Sequence, residues 1–234
     1  MKLKNAKILI TGGSLGIGKV TARVLVESGA AVMITGRDRS RLDQAAAETG
    51  AFAVKADIAR AEDREQTIAE CLKKFNGLDV LINNAGIGEF ATISDLTLEQ
   101  FRKVFEVNVF GVALMTKLAV EIFKKQNSGN IVNVASTAAL KGYEQGTVYA
   151  ASKFALRGMT QCWQAELRKH NIRVMEINPS EVTTAFANPE RIERPEQQNK
   201  LRSEEIAHAI KAMLEMENRG FIPELTVWAT NPWS

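Results

Sequence analysis

Tyr149 and Lys153 stand four positions apart in Tyr149-Ala150-Ala151-Ser152-Lys153, which puts them on one face of a helix. An ammonium beside a phenol favours the phenolate and would draw the tyrosine below its ordinary pKa of about 10. Such a pair could exchange a proton with an alcohol or a carbonyl oxygen. The same spacing also occurs on ordinary helix faces, so its meaning depends on what else the chain supplies.

A second set lies near the start, where Thr11-Gly12-Gly13-Ser14-Leu15-Gly16-Ile17-Gly18 follows an apolar run at 6–10 and opens a helical pattern. Glycines between a strand and a helix permit positive φ, close backbone approach to a phosphate and tight helix–strand packing. The helix N-terminus adds free N–H groups and partial positive charge. Gly12, Ser14, Leu15, Gly16, Ile17 and Gly18 are therefore expected to cradle a dinucleotide. An acid at the end of the next strand would accept bonds from ribose hydroxyls, whereas arginine would pair with a 2′-phosphate. Here that strand ends Thr35-Gly36-Arg37-Asp38, and Arg37 favours NADP, with NAD as the alternative. A solvated charge cluster is the competing reading of these residues.

The elements needed to position these groups can be read from the pattern. Strand-like runs at 6–10, 31–35, 52–54, 80–82, 130–134, 172–177 and 221–227 alternate with helical stretches at 16–28, 40–49, 61–75, 97–125, 149–169 and 203–216. The stretch 97–125 opens with a capping box at Thr97–Gln100 and is expected to be interrupted near Asn108. Alternation at this spacing implies an α/β chain with a doubly wound parallel sheet of about seven strands, covered by helices on both faces. The 234 residues read as one domain spanning 1–234, with a short polar loop at about 185–203.

Composition narrows the function classes. A net charge of +3, from 30 basic and 27 acidic residues, is too balanced for a nucleic-acid or anionic-membrane binder. No apolar run approaches a membrane span and no signal-peptide pattern opens the chain, so a cytoplasmic location is expected. Cys71 and Cys162 read as reduced, partly buried thiols, and neither they nor His170 and His208 have metal-ligand spacing. No metal is expected.

Taken together, the ordered motifs resemble the short-chain dehydrogenase/reductase family over nearly the whole length. Its T-G-x-x-x-G-x-G pattern stands at Thr11–Gly18, and its N-N-A-G signature at Asn83-Asn84-Ala85-Gly86. The resemblance implies a Rossmann fold binding NADP, or alternatively NAD, with Asp57 and Ile58 at the adenine and Asn84, Ala85 and Gly86 lining the cofactor. It implies an Asn108, Ser136, Tyr149 and Lys153 catalytic set, with Ser136 thirteen positions before Tyr149. In that set Ser136 would polarise a carbonyl, and Tyr149 would act as acid or base. Lys153 would bind the ribose and lower the Tyr149 pKa, while Asn108 would hold a proton-relay water. The expected activity is hydride transfer between NADP(H) and a carbonyl or secondary alcohol. An NAD-linked alcohol dehydrogenase and a non-catalytic dinucleotide-binding scaffold are the alternatives.

The chain departs from the family at Pro179-Ser180-Glu181-Val182-Thr183-Thr184. Pro179, Val182 and Thr184 match cofactor-facing positions, but Ser180 replaces glycine. Ser180 and Glu181 could narrow the site or contact substrate. The loop at about 185–203 occupies the position of the family's substrate loop, which places it over the cleft. The common V-D-G-G tail is missing, which weakens the case for a tetramer. The helices at 97–125 and 149–169 match those that pair between subunits, implying a homodimer, with a homotetramer as the alternative. Glu144 and Arg191 are candidates for a charged substrate group, against a purely solvated role.

Overall fold

The structure is a computed structural model describing residues 1–186, 188 and 190–233. The expected cleft loop at 185–203 includes residues 187 and 189, which lie outside the described residues. Seven strands form one wholly parallel sheet, in the order β3-β2-β1-β4-β5-β6-β7. They are β1 (Lys7–Ile10), β2 (Ala31–Gly36), β3 (Phe52–Lys55), β4 (Val80–Asn83), β5 (Gly129–Val134), β6 (Ile172–Pro179) and β7 (Glu224–Val227). The helices between them are α1 (Gly16–Glu27), α2 (Arg39–Thr49), α3 (Ala61–Phe75), α4 (Leu98–Phe105), α5 (Val112–Gln126), α6 (Thr147–Leu167) and α7 (Ser203–Glu215). No helix among the described residues is long and apolar enough to cross a membrane.

The strands read as continuous apolar runs because both faces are covered. One face packs Ile8, Ile10, Val32, Ile34, Val80, Ile82 and Met175 against α1 and α7. The other packs Leu9, Met33, Leu81, Ile131 and Val174 against α3, α5 and α6. Within this second face a polar row crosses the sheet at one register, Asn83 on β4, Asn133 on β5, Glu176 on β6 and Glu224 on β7. The Asn83 amide donates to Asn133 and to Thr116 of α5, both at 2.9 Å. Asn133 in turn donates to Thr160 of α6 at 2.8 Å, and Arg157 closes the row with a bond of 2.9 Å to Glu224. The amide N–H groups of Asn83 and Asn133 thus find acceptors, as burial demands. The Glu176 carboxylate, between Asn133 and β7 in the row, makes no hydrogen bond among the described residues.

The strand and helix bounds agree with the sequence reading to within a few residues, except in the long stretch after the capping box. The box forms as expected, with Thr97 accepting from the Gln100 N–H and Gln100 accepting from the Thr97 N–H. The interruption near Asn108 is a widened turn rather than a break: Glu106–Gly111 takes up π-helical hydrogen bonding between α4 and α5. Such one-turn widenings are uncommon and cluster at functional sites.

Candidate active site

The C-terminal ends of the strands open into a cavity of about 840 Å³, within the size range of small-molecule and cofactor sites. Its floor is the glycine turn. Thr11 Oγ1 accepts from the Asn84 and Ala85 N–H groups, and the Asn84 amide donates to the Thr11 and Gly12 carbonyls. These bonds fasten the end of β4 against the turn after β1. Gly12 has φ +69°, and a Cβ there would come within 2.8 Å of the Ala85 backbone. A Cβ on Gly18 would meet the Gly12 carbonyl oxygen at 2.4 Å and the Asn84 amide at 2.5 Å. Helix α1 has no side-chain cap at Leu15. Glu193 Oε1 takes the Gly16 N–H at 2.8 Å, and the next N–H groups of the first turn, at Ile17 and Gly18, have no partner within the helix. This cradle, closed to any side chain, fits a dinucleotide pyrophosphate.

Gly12, Ser14, Leu15, Gly16 and Ile17 line the cavity, whereas Gly18 lies behind it and serves packing. Further along, Arg37, Asp57, Ile58, Asn84, Ala85 and Gly86 line it, as do Pro179, Val182 and Thr184 on the opposite wall. The Arg37 guanidinium stands 3.9 Å from the Asp57 carboxylate at the end distant from Tyr149. Asp38, expected as either ribose ligand or helix start, caps α2 by accepting from the Arg41 N–H at 2.9 Å.

At the other end Ser136, Tyr149 and Lys153 converge. Ser136 and Tyr149 line the same stretch of cavity, where the Ser136 hydroxyl favours the Tyr149 phenolate, and Ser136 Oγ accepts from the Ala138 N–H at 3.1 Å. Lys153 donates to the Val134 carbonyl at 2.9 Å, and its Nζ lies 5.7 Å from the Tyr149 ring centre. Asn108 does not face the cavity. Its Oδ1 accepts from the Ile87 N–H, and its amide donates to the Ile87 carbonyl and to Ser152 of α6. The π turn that carries it explains the geometry: the extra residue turns Asn108 inward against β4 and α6. Gly86 stands between, its missing Cβ leaving 3.4 Å to Asn108 Oδ1 and 3.8 Å to Lys153 Nζ.

One expectation is corrected. Lys153 does not draw the Tyr149 phenol down within the polypeptide. Burial pushes Tyr149 well above the ordinary tyrosine range, the Ser136 hydroxyl only partly opposing it. Lys153 is itself buried, which lowers its ammonium to about 8, with the Glu176 carboxylate pulling the other way. The environment therefore keeps a protonated phenol, which is the form a proton donor needs.

Two aromatic neighbours escaped the sequence reading. The Phe90 and Phe186 ring centres lie 5.8 and 5.4 Å from that of Tyr149. They approach each other over Gly88, where a Cβ would meet Phe90 at 2.8 Å and Phe186 at 3.1 Å. Both sit in loops, where an aromatic residue leaves no periodic signal. The departures from the family also find their places. Ser180 Oγ accepts from the Ala229 N–H, and Glu181 is paired with Arg194 at 3.0 Å and Lys200 at 2.6 Å. Glu181 thus pins the following loop. Among the described residues no cluster of His, Cys, Asp and Glu could hold a metal ion.

The fold and this constellation define a dinucleotide-fold oxidoreductase. The chain belongs to the short chain dehydrogenase family, whose profile matches residues 6–195. It is 30% identical over 222 residues to an uncharacterized oxidoreductase of Staphylococcus aureus, covering 94% of this chain and 95% of that one. Among solved structures it resembles an alcohol dehydrogenase from the archaeon Thermococcus sibiricus complexed with 5-hydroxy-NADP. That match has a TM-score of 0.88 and 28% identity, and covers 97% of each chain. A 3-ketoacyl-(acyl-carrier-protein) reductase from Brucella melitensis complexed with NADH is similar at TM-score 0.89 and 28% identity, covering 98% of this chain and 99% of that one.

Proposed function

We propose that this protein is an NADP(H)-dependent oxidoreductase interconverting a small carbonyl compound and its secondary alcohol. The observation that carries the reading is the convergence of Ser136, Tyr149 and Lys153 on one cavity that Arg37 also lines. A nicotinamide dinucleotide bound along the cavity supplies or takes the hydride. Ser136 and Tyr149 both donate to the substrate oxygen, polarising the carbonyl and stabilising charge that develops on it. Tyr149 gives its proton to that oxygen in reduction and takes it back in oxidation. Lys153 holds a ribose hydroxyl and restores the Tyr149 proton, and Asn108 positions Ile87 and Ser152 around it. Arg37 takes the 2′-phosphate by charge-assisted hydrogen bonds.

Asp57 and Ile58 hold the adenine, and Pro179, Val182 and Thr184 hold the nicotinamide ring. The exposed apolar residues Phe110 of the π turn, Leu114 at the start of α5 and Phe154 of α6 suit a homodimer through these helices. Tyr149→Phe tests the reading. It should bind NADPH unchanged, followed by fluorescence, yet lose turnover by about 10²–10⁴-fold, the usual share of general acid–base catalysis. Undiminished turnover would sink the mechanism.

NAD is the second reading, favoured by Asp38, which lines the same cavity beside Arg37 and could accept ribose hydroxyls. Dissociation constants for NADPH and NADH separate the two.

A further inference from the structure

Arg191 lies in the loop between β6 and α7, yet it lines the cavity together with Arg37 and Arg41 from the opposite wall. Three features hold it there. Its backbone is in the left-handed region, φ +57°, a conformation a non-glycine residue adopts only when its surroundings fix it. Its N–H donates to the Asn188 carbonyl at 3.0 Å, and Asn188 Oδ1 also accepts from the Glu190 N–H. Just beyond, the loop is strapped down at two points. Glu193 accepts from the Gly16 N–H at 2.8 Å, and Arg194 donates to Glu181 and to the Val182 carbonyl.

The charges at this end do not balance. Arg41 pairs with Asp38 at 2.9 Å, and Arg37 has Asp57 at 3.9 Å. The neighbouring Arg194 and Glu181 satisfy each other. Arg191 has no carboxylate within salt-bridge distance among the described residues, and its guanidinium reaches only the Phe186 carbonyl, at 3.4 Å. Burial, and then the charges of Arg37 and Arg41, depress it below the ordinary guanidinium range. Three like charges facing one another across the cavity are unfavourable unless an anion joins them.

The geometry points to Arg191 as a further arm of the phosphate site. With Arg37 and Arg41 it clasps the 2′-phosphate of the dinucleotide from the loop side. This rests on the NADP reading above and extends it. Phosphate recognition is shared between the β2–α2 turn and the β6–α7 loop, so the loop senses which dinucleotide lies beneath it.

Binding of NADPH, NADH, 2′,5′-ADP and 5′-AMP to the wild type, Arg191→Gln and Arg37→Gln tests this by titration calorimetry. Removing one arm of a charge-assisted phosphate clasp should weaken NADPH and 2′,5′-ADP by about tenfold or more. NADH and 5′-AMP should be unchanged in R191Q, which also shows that the variant is folded. If R191Q keeps the wild-type preference for NADPH, or loses NADPH and NADH equally, the assignment is overturned while the NADP reading stands. If the wild type binds NADPH and NADH alike and 2′,5′-ADP no better than 5′-AMP, both are overturned.

Discussion

Asn108 and Ser152 are joined by a hydrogen bond of 3.0 Å that ties the π turn to helix α6, one residue before Lys153. Ser152 passes the link on by donating to the Tyr149 carbonyl at 2.7 Å. Asn108 thus reaches Tyr149 and Lys153 through the backbone between them, while its other bonds hold Ile87. Both amide N–H groups and one lone pair of Oδ1 are engaged by protein, so the side chain's bonds position Ile87 and α6. Asn108→Ala should strip buried partners from Ile87 and Ser152, costing about 2–3 kcal/mol, measured as a drop in the urea midpoint. Its turnover should fall more than its nucleotide affinity, and Ser152→Ala should reproduce part of both losses.

Tyr149 is held protonated by burial, and this fixes how rate depends on pH. Reduction, which needs the protonated phenol, should run nearly level between about pH 6 and 8. Oxidation, which needs the phenolate, should rise with pH through the same interval and above it. Initial rates in both directions across a pH series check this. An oxidation rate that levels off below neutral pH would mean that the phenol is not raised.

Lys153 makes a stability prediction. Its ammonium titrates at about 8 in the folded chain, below the ordinary 10.5, because burial disfavours the charge. Between those values the unfolded chain holds more protons than the folded one, so this group adds stability as pH rises through the interval. Below about 8 the whole cost of a buried charge is carried. Relative to Lys153→Met, the wild type should gain up to about 2 kcal/mol between roughly pH 7.5 and 9.5 in urea unfolding. Burial also raises the Cys71 thiol, to about 12. That contribution is common to both proteins and cancels in the difference.

Gly18 is a packing residue, and its replacement tests the turn separately from ligand binding. An alanine Cβ would collide with backbone and amide atoms 2.4 and 2.5 Å away, so β1, α1 or β4 must shift. Gly18→Ala should cost about 1–3 kcal/mol, as overpacking does, and lower the melting temperature before any nucleotide is added.

Glu181 anchors the loop that carries Arg191, through Arg194 and Lys200. Glu181→Gln leaves a hydrogen-bonding group but removes the charge that holds both. These pairs are partly exposed and worth about 1 kcal/mol or less each, so global stability should scarcely change. Limited proteolysis should instead cut faster within 187–202, and bound NADPH should protect the loop less well than in the wild type.

Much of this architecture was legible because it rests on local pattern. The apolar runs of β1, β2 and β5 and the glycine turn between β1 and α1 announce themselves within a few residues. So does the Thr97–Gln100 box. The ordered placement of Asn108, Ser136, Tyr149 and Lys153 pointed to one cleft, and the last three do meet in it. What could not be read depends on tertiary environment. The direction of the Tyr149 shift follows from how deeply α6 is buried, which no pairwise spacing reveals. The π turn leaves the apolar periodicity on either side almost undisturbed, so it resembled an interruption. Phe90 and Phe186 come from loops far apart in sequence and meet only because Gly88 leaves room. Arg191, a candidate for a charged substrate group or a solvated charge in the sequence, is held by the loop's straps on the cavity that Arg37 also lines.

The polar row through the sheet has a consequence for how the fold is selected. Parallel strands buried on both faces and built from Val, Ile and Leu carry little to tell one alignment from the next. A slip of a single residue would swing Asn83 or Asn133 onto the opposite face, among Ile82 and Val132, away from their partners Thr116 and Thr160. The least hydrophobic residues of the sheet thus work as a combination lock. The strands pass over many near-equivalent pairings and stop at the one where Thr116, Thr160 and Arg157 are waiting.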